Sequence, residues 1–302
     1  MMHRSAAVLL LTLICGRPLL AGDLQPNSSR PLKIHLIARN VYMLESEPQK
    51  PSYGSNIAVL VGPDGLLLVD AQGSPDVQPA IAALRTISDK PIRYVINTHC
   101  HGDHTGGNTG FQRAGATIIA HDNVRKRLQQ GTSCGPQTGL PTLTFGSELT
   151  LYFDDELVRI IKLPTGHTDG DVMVYFERAR VVATGDAFTS NGLPEYSRAA
   201  GGNMLGSNDE LHQIVALLPD NAQVIPGHGP VASMIDVRVA SKALDGIRDA
   251  IAAQVAQGKT LEQIQAMKLL EPWKDLVEDS DRPMYTRFYY ECLKAPATPT
   301  ST

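Results

Sequence analysis

The chain has 302 residues, 42% of them hydrophobic and 19% charged, with a formal net charge of −4. That apolar content suffices for a packed core and excludes a disordered polymer, and the length admits one large α/β domain. An acidic balance also disfavours nucleic-acid binding, which asks for lysine and arginine along a phosphate track.

The N-terminus has a short basic start (His3, Arg4), an apolar stretch from Ala6 to Ile14, and then Pro18-Leu19-Leu20-Ala21. This pattern predicts a signal peptide over residues 1–21, cleaved after Ala21, and therefore export to the periplasm or the medium. The stretch is much shorter than the roughly 20 residues that span a bilayer, so no stable membrane anchor is expected. Cleavage removes Arg4 and Arg17, taking 27 basic residues to 25 against 31 acidic ones, a net charge of −6. The mature domain is expected over 22–294, with a disordered Pro/Thr-rich tail at 295–302.

Strand-length apolar runs follow at Ile34–Leu44, Ile57–Val61, Leu66–Val69, Ile92–Ile96, Ala116–Ala120, Leu157–Leu163, Val172–Phe176, Val181–Ala183 and Val224–Ile225. Most are bounded by Gly, Pro, Asp or Asn, and Pro63-Asp64-Gly65 predicts a hairpin turn. Helical patterning enters at Asp76–Ile87 and within Ala116–Gln130, then at Asn208–Leu218 and Ile235–Gln257. The last of these places Ile235, Val239, Ala243, Ile247 and Ile251 on one face. The early strands therefore form a meander and the later ones interleave with helices. Three stretches without periodicity, Ser46–Asn56, Gly131–Pro141 and Phe188–Ser207, are candidate walls of a substrate cleft, with Tyr53, Tyr196 and Arg198 as candidate substrate contacts.

Metal-ligand residues are concentrated in His99-Cys100-His101-Gly102-Asp103-His104, directly after the Ile92–Ile96 run. His99 and His101 at i, i+2 in extended backbone present both rings to one side. Gly102 permits a bend that turns Asp103 and His104 toward a neighbouring position. Short glycine-bearing segments supply His167, Asp186 and His228. His167 would complete one imidazole set and His228 the other, while Asp186, with two acceptor oxygens, suits a bridge. Imidazole and carboxylate without thiolate favour zinc, with manganese or iron also accommodated, and three nitrogens plus a water make an open, catalytic site. His35, His121 and His212 sit in no such motif.

Three cysteines, Cys100, Cys134 and Cys292, remain after cleavage, and an odd number excludes a fully paired framework. One bridge is possible in an oxidising compartment, and the sequence leaves its partners open. Strand-like alternation turns Cys100 away from the ligands into packing, and a bridge from it would be expected to strain the ligand loop.

The string Asn97-Thr98-His99-Cys100-His101-Gly102-Asp103-His104-Thr105-Gly106-Gly107-Asn108, followed in order by Gly166-His167-Thr168, Gly185-Asp186 and Pro226-Gly227-His228-Gly229, resembles the metallo-β-lactamase superfamily. The resemblance spans about residues 34–232. It implies a four-layer αβ/βα sandwich with the metals at one edge. It further implies two Zn²⁺ ions, one held by His99, His101 and His167, the other by Asp103, His104 and His228, with Asp186 bridging. Asp70 matches the family's buried aspartate beneath the ligand loop, accepting hydrogen bonds that fix it. An aspartate at 186 is similar to the glyoxalase II and lactonase style of site. The expected activity is hydrolysis of a small carbonyl substrate (ester, lactone, thioester or β-lactam amide), with Asp103 orienting the nucleophile or carrying its proton. A β-lactamase proper, a mononuclear iron enzyme resembling the persulfide dioxygenases, and a non-enzymatic metal-binding accessory protein are the alternatives. The sequence sets no oligomeric state.

Overall fold

A computed structural model describes residues 32–46, 54–73, 77–131 and 134–295. Residues 1–21, where a signal peptide is expected, Tyr53 and the residues beyond Ala295 lie outside the described residues.

Thirteen strands and eight α-helices are present among them. In chain order these are β1 (Lys33–Ala38), β2 (Val41–Glu45), β3 (Ile57–Gly62), β4 (Gly65–Val69), α1 (Gln78–Arg85), β5 (Ile92–Ile96), α2 (Gly102–Thr105), α3 (Asn108–Arg113), β6 (Thr117–His121), α4 (Asp122–Gln130), β7 (Leu143–Phe145), β8 (Glu148–Phe153), β9 (Glu156–Lys162), β10 (Val172–Phe176), β11 (Val181–Ala183), α5 (Met204–Leu217), β12 (Gln223–Ile225), β13 (Ala232–Ser233), α6 (Met234–Ala256), α7 (Leu261–Ala266) and α8 (Arg282–Lys294). The expected run Ile34–Leu44 is two strands: Arg39, at φ 48°, and Asn40 turn the chain so that Ala38 pairs with Val41. The expected Pro63-Asp64-Gly65 hairpin is present, with Gly62 opposite Gly65.

One sheet has seven strands in the order β1-β2-β3-β4-β5-β6-β7, antiparallel up to β4 and parallel from there. The other has six, in the order β13-β12-β11-β10-β9-β8. They pack face to face through Val41, Met43, Leu60, Leu67, Val69 and Ile96 on one side and Val158, Ile160, Val172, Val174 and Phe176 on the other. On the outer face of the first sheet, Ile57, Val59, Leu66 and Leu68 meet Ala80 and Leu84 of α1 and Phe111 of α3. On the outer face of the second, Ile161, Met173, Tyr175 and Val182 meet α5, α6 and α8. This is the expected helix–sheet–sheet–helix layering. It explains why β4 and β10 read as unbroken apolar runs, since every residue of each is buried on one face or the other.

Helix α6 spans nearly the expected residues and buries Ala243, Ile247 and Ile251 of the expected face, in a stripe that also holds Met234, Val237, Ala240 and Leu244. Ile235 and Val239, expected inward, are 68% and 47% exposed. None of the described helices is long and apolar enough to cross a membrane.

Direction of travel sets where function can sit. Strands β4 and β5 run parallel in one sheet; β9, β11 and β12 run parallel to one another in the other. The segments that leave their C-terminal ends therefore emerge at one edge of the sandwich, and these segments carry Asp70, His99, His167, Asp186 and His228.

Candidate metal centre

The ligand loop is pinned before any side chain is considered. Asp70 N donates to Ile96 O at 2.8 Å and Ala71 N to His104 O at 2.9 Å, while Asn97 and Asn108 exchange side-chain hydrogen bonds at 2.8 and 3.0 Å. His101 precedes the single turn of α2, so extended backbone gives way to helix between His101 and Asp103. Gly107 is required by close approach, because a Cβ there would lie 2.1 Å from Ala71 O.

Seven side chains converge. His99 Nε2 and His167 Nε2 lie 3.1 and 2.9 Å from His101 Nδ1. Beside them, Asp103 Oδ2 lies 3.4 Å from His104 Nε2 and 3.1 Å from His228 Nε2. Asp186 faces both groups. Its Oδ2 is 3.8 Å from His99 Nε2 and 3.5 Å from His167 Nε2, and its Oδ1 is 3.2 Å from His104 Nε2 and 3.4 Å from His228 Nε2. Within each set of four, counting Asp186 in both, the potential ligand atoms lie within 4.8 Å of one another. All seven residues singled out in the sequence are thus brought together, in the expected division.

The far side of three rings fixes what the near side offers. His104 Nδ1 is 2.8 Å from Asp70 Oδ2 and His167 Nδ1 is 2.8 Å from Glu195 O, both acceptors, so each ring donates from Nδ1 and directs Nε2 inward as the atom free to bind a cation once it carries no proton. His99 Nδ1 lies 3.1 Å from Thr98 Oγ1, which in turn donates to Asp70 Oδ2 at 2.8 Å, and Thr98 N donates to Asp70 Oδ1 at 2.8 Å. Asp70 therefore steadies one ring of each set, as expected of an acid beneath the loop. Its backbone sits at φ 70°, a conformation that aspartate tolerates better than most residues.

Electrostatics separate the two sets. Burial, with His167 beside it, lowers His101 to about 4, and burial with His104 nearby holds His99 well below its usual value. Burial would also lower His228, but Asp186 and Asp103 outweigh it and raise the ring to about 9; against the same penalty, Asp186, Asp103 and Asp70 raise His104. Burial pushes Asp103 and Asp186 upward, yet the His104 and His228 rings hold both far below the usual carboxylate range. His99 and His101 are thus held neutral, whereas His104 and His228 retain positive charge beside the two carboxylates. Neither His104 Nε2 nor Asp186 Oδ1, both fully buried, makes a hydrogen bond. Converging nitrogen lone pairs, a shared carboxylate and orphaned inward-facing atoms are the chemistry of a divalent-cation site.

Several contributors carried no signal in the sequence. Asn56 donates from Nδ2 to Pro226 O at 3.0 Å and Gly229 O at 2.8 Å, holding the His228 turn from 170 residues away. Ser55 Oγ donates to Asp103 O at 2.7 Å, so the end of the Ser46–Asn56 segment supports the ligand loop. Glu195 belongs to a candidate cleft wall, yet acts through a backbone oxygen that any residue provides.

Cys100 and Cys134 form a disulfide across Cα atoms 5.2 Å apart. Cys100 points away from the ligands into a packed cluster with Ala120, Val124 and Leu128, and Gly135 N donates to Cys100 O at 2.7 Å, so the Gly131–Pro141 segment already runs alongside. Cys292 is free.

Of the candidate substrate contacts, Tyr196 is buried, its ring packed edge-on against Phe288 at 4.7 Å, and Arg198 is 67% exposed and paired with Glu291 at 2.7 Å. Both line a groove of about 540 Å³ with Asn203, Tyr290 and Lys294, and neither is among the converging groups.

Comparison with known proteins agrees with this architecture. Residues 52–228 match the metallo-β-lactamase superfamily. A hydroxyacylglutathione hydrolase of Pelagibacter ubique is 28% identical over 51% of this chain and 59% of its own, and a probable metallo-hydrolase of Methanocaldococcus jannaschii is 26% identical over 59% and 89%. The chain thus spans only part of the length of the hydroxyacylglutathione hydrolases it matches, 62% in one from Anaeromyxobacter dehalogenans. Among solved structures, a metallo-β-lactamase from Pontibacter korlensis superposes with a TM-score of 0.60 at 20% identity, covering 71% of this chain and 99% of that one, a likeness of fold. With the layered sandwich, the seven converging ligands and a match over more than half its length, the chain belongs to the metallo-β-lactamase superfamily.

Proposed function

We propose that this protein is a dinuclear zinc-dependent hydrolase that cleaves a small carbonyl substrate, an ester, lactone, thioester or β-lactam amide. The observation that carries the reading is Asp186, whose two oxygens face two separate nitrogen-bearing sets. His99, His101 and His167 would hold one ion, Asp103, His104 and His228 the other, and Asp186 both. Two neighbouring divalent cations supply a water ionised near neutral pH and positive charge for the developing oxyanion and leaving group. The chain's own part is to orient. Asp70, through Thr98 and His104, and Glu195 O hold three rings with Nε2 inward. Asp103, 25% exposed with Oδ2 directed at the same space, is placed to orient the attacking water or pass its proton to solvent.

The thioester arm is supported by the hydroxyacylglutathione hydrolases among the relatives, and a dinuclear rather than mononuclear reading by the equal gathering of the second set. The groove carrying Tyr196 and Arg198 backs onto the His167 segment, since Ser197 N donates to His167 O at 2.8 Å, which supports their candidacy as substrate contacts. Export to an oxidising compartment is supported by the Cys100–Cys134 bridge.

The test is turnover on metal-quantified protein across a cephalosporin, a lactone and a glutathione thioester. Cleavage of at least one, dependent on two equivalents of zinc and lost in Asp103→Ala with the circular dichroism spectrum unchanged, is expected. A single tightly bound iron with oxygen consumption, or no turnover on any arm, would contradict it.

A further inference from the structure

The segment that brings His167 to the centre belongs to no strand or helix, so its position has to be imposed from outside. Two of its carbonyls are taken by backbone donors: Asn203 N reaches Gly166 O at 2.7 Å and Ser197 N reaches His167 O at 2.8 Å. The His167 N–H is different. It donates to a side chain, Glu210 Oε2 on α5, at 3.1 Å. Glu210 is fully buried, and a buried acid is costly unless it is engaged. Its carboxyl also lies flat against the preceding peptide, since a Cβ on Gly166 would fall 2.0 Å from the same oxygen. Helix α5 is in turn packed on α6 and α8, so whatever it grips is referred to the rigid outer layer of the second sheet.

We propose that Glu210 is a positioning residue for His167, fixing its backbone so that Nε2 meets His99 and His101 to complete the three-imidazole set. This rests on the metal-centre reading given above. Glu210 touches neither substrate nor ion; it acts by holding one ligand in place.

The test compares Glu210→Ala, Glu210→Gln and Gly166→Ala by stepwise zinc titration against a competing chelator and by the visible spectrum of the cobalt-loaded protein. Glu210→Ala removes the acceptor and should weaken binding at the three-imidazole site about 10- to 100-fold, the usual effect of losing a group that orients a ligand. Glu210→Gln keeps an acceptor oxygen and should restore affinity and spectrum, whereas Glu210→Met, similar in volume but without that acceptor, should stay impaired, which a merely space-filling role would not predict. Gly166→Ala drives the carboxyl away and should reproduce the loss while keeping Glu210 itself, and the double variant Gly166→Ala/Glu210→Ala should be no worse than either single change. Unchanged affinity in Glu210→Ala, or a Gln variant as impaired as Ala, would overturn the proposal. If Glu210→Ala does not fold, normal metal binding by Gly166→Ala overturns it equally. Wild-type protein that binds two ions and cleaves nothing would refute the hydrolase reading and leave this proposal standing.

Discussion

Asp70→Asn tests how far the ligand rings depend on the acid behind them. In the native protein Asp70 Oδ1 accepts from Thr98 N and Oδ2 from Thr98 Oγ1 and His104 Nδ1, each at 2.8 Å. An amide has one oxygen. Given to the fixed Thr98 N–H, it leaves the NH₂ facing His104 Nδ1–H, donor against donor; turned round, it sets that conflict against Thr98 N. A single buried donor left unsatisfied costs about 1–3 kcal/mol, so metal-free Asp70→Asn should be destabilised by about that amount in urea denaturation. The ring's escape is to give up its Nδ1 proton and keep the one on Nε2, which blocks the atom facing Asp103 and Asp186. Metal affinity at the His104 site should then fall about 10- to 100-fold, the typical effect of losing a ligand's orienting partner. The other site should change little, because Thr98 Oγ1 remains to accept from His99 Nδ1. Zinc titration and denaturation read the two effects separately. An equal loss at both sites, or normal binding at the His104 site beside the stability cost, would refute the tautomer argument.

Acidification should release the ions in order. Every ligand must shed its proton to bind, so affinity falls as pH falls, by about tenfold per unit for each proton displaced. The set containing His228, raised to about 9, carries that penalty from neutral pH downward, whereas His101, near 4, stays neutral well into acid. Metal analysis after dialysis across pH 5–8 should therefore show the ion of the Asp103–His104–His228 set leaving first, and the reverse order would contradict the assignment. Cys134→Ser opens a bridge across a sequence separation of 34 and should lower stability by about 3–4 kcal/mol, matched by wild type in reductant; identical denaturation curves with and without reductant would deny the bridge. Arg198→Ala, removing an exposed ion pair, should cost under about 1 kcal/mol of stability. A raised KM in that variant supports its substrate role, and an unchanged one withdraws it.

What could be read from the sequence was whatever repeats locally. The unbroken apolar runs of β4 and β10 announced strands buried on both faces, and His99 to His104 announced a cation site because ligand spacing is itself local. Edge strands escaped. In β8, five of the six positions are exposed or half-exposed, Tyr152 among them at 85%, and β7 and β13 are too short to show a period. Helix α8 hid because its buried positions, Tyr285, Thr286 and Tyr289, are polar in name. Only the first turns of α6 were misread, because Ile235 and Val239 continue the spacing of the buried Ala243, Ile247 and Ile251. Support from a distance had no local signature at all: Asn56 on the His228 turn, Glu210 on His167 and Cys134 on Cys100 are meetings that only the tertiary fold arranges.

Anomalous diffraction at the zinc edge, on crystals of the zinc-loaded protein, tests the centre most directly. Two peaks are expected, one about 2.0–2.1 Å from nitrogens of His99, His101 and His167, the other at that range from His104 and His228 with Asp103 beside it, and an Asp186 oxygen on each. A single peak, or two that leave Asp186 touching only one, would contradict the shared-carboxylate centre.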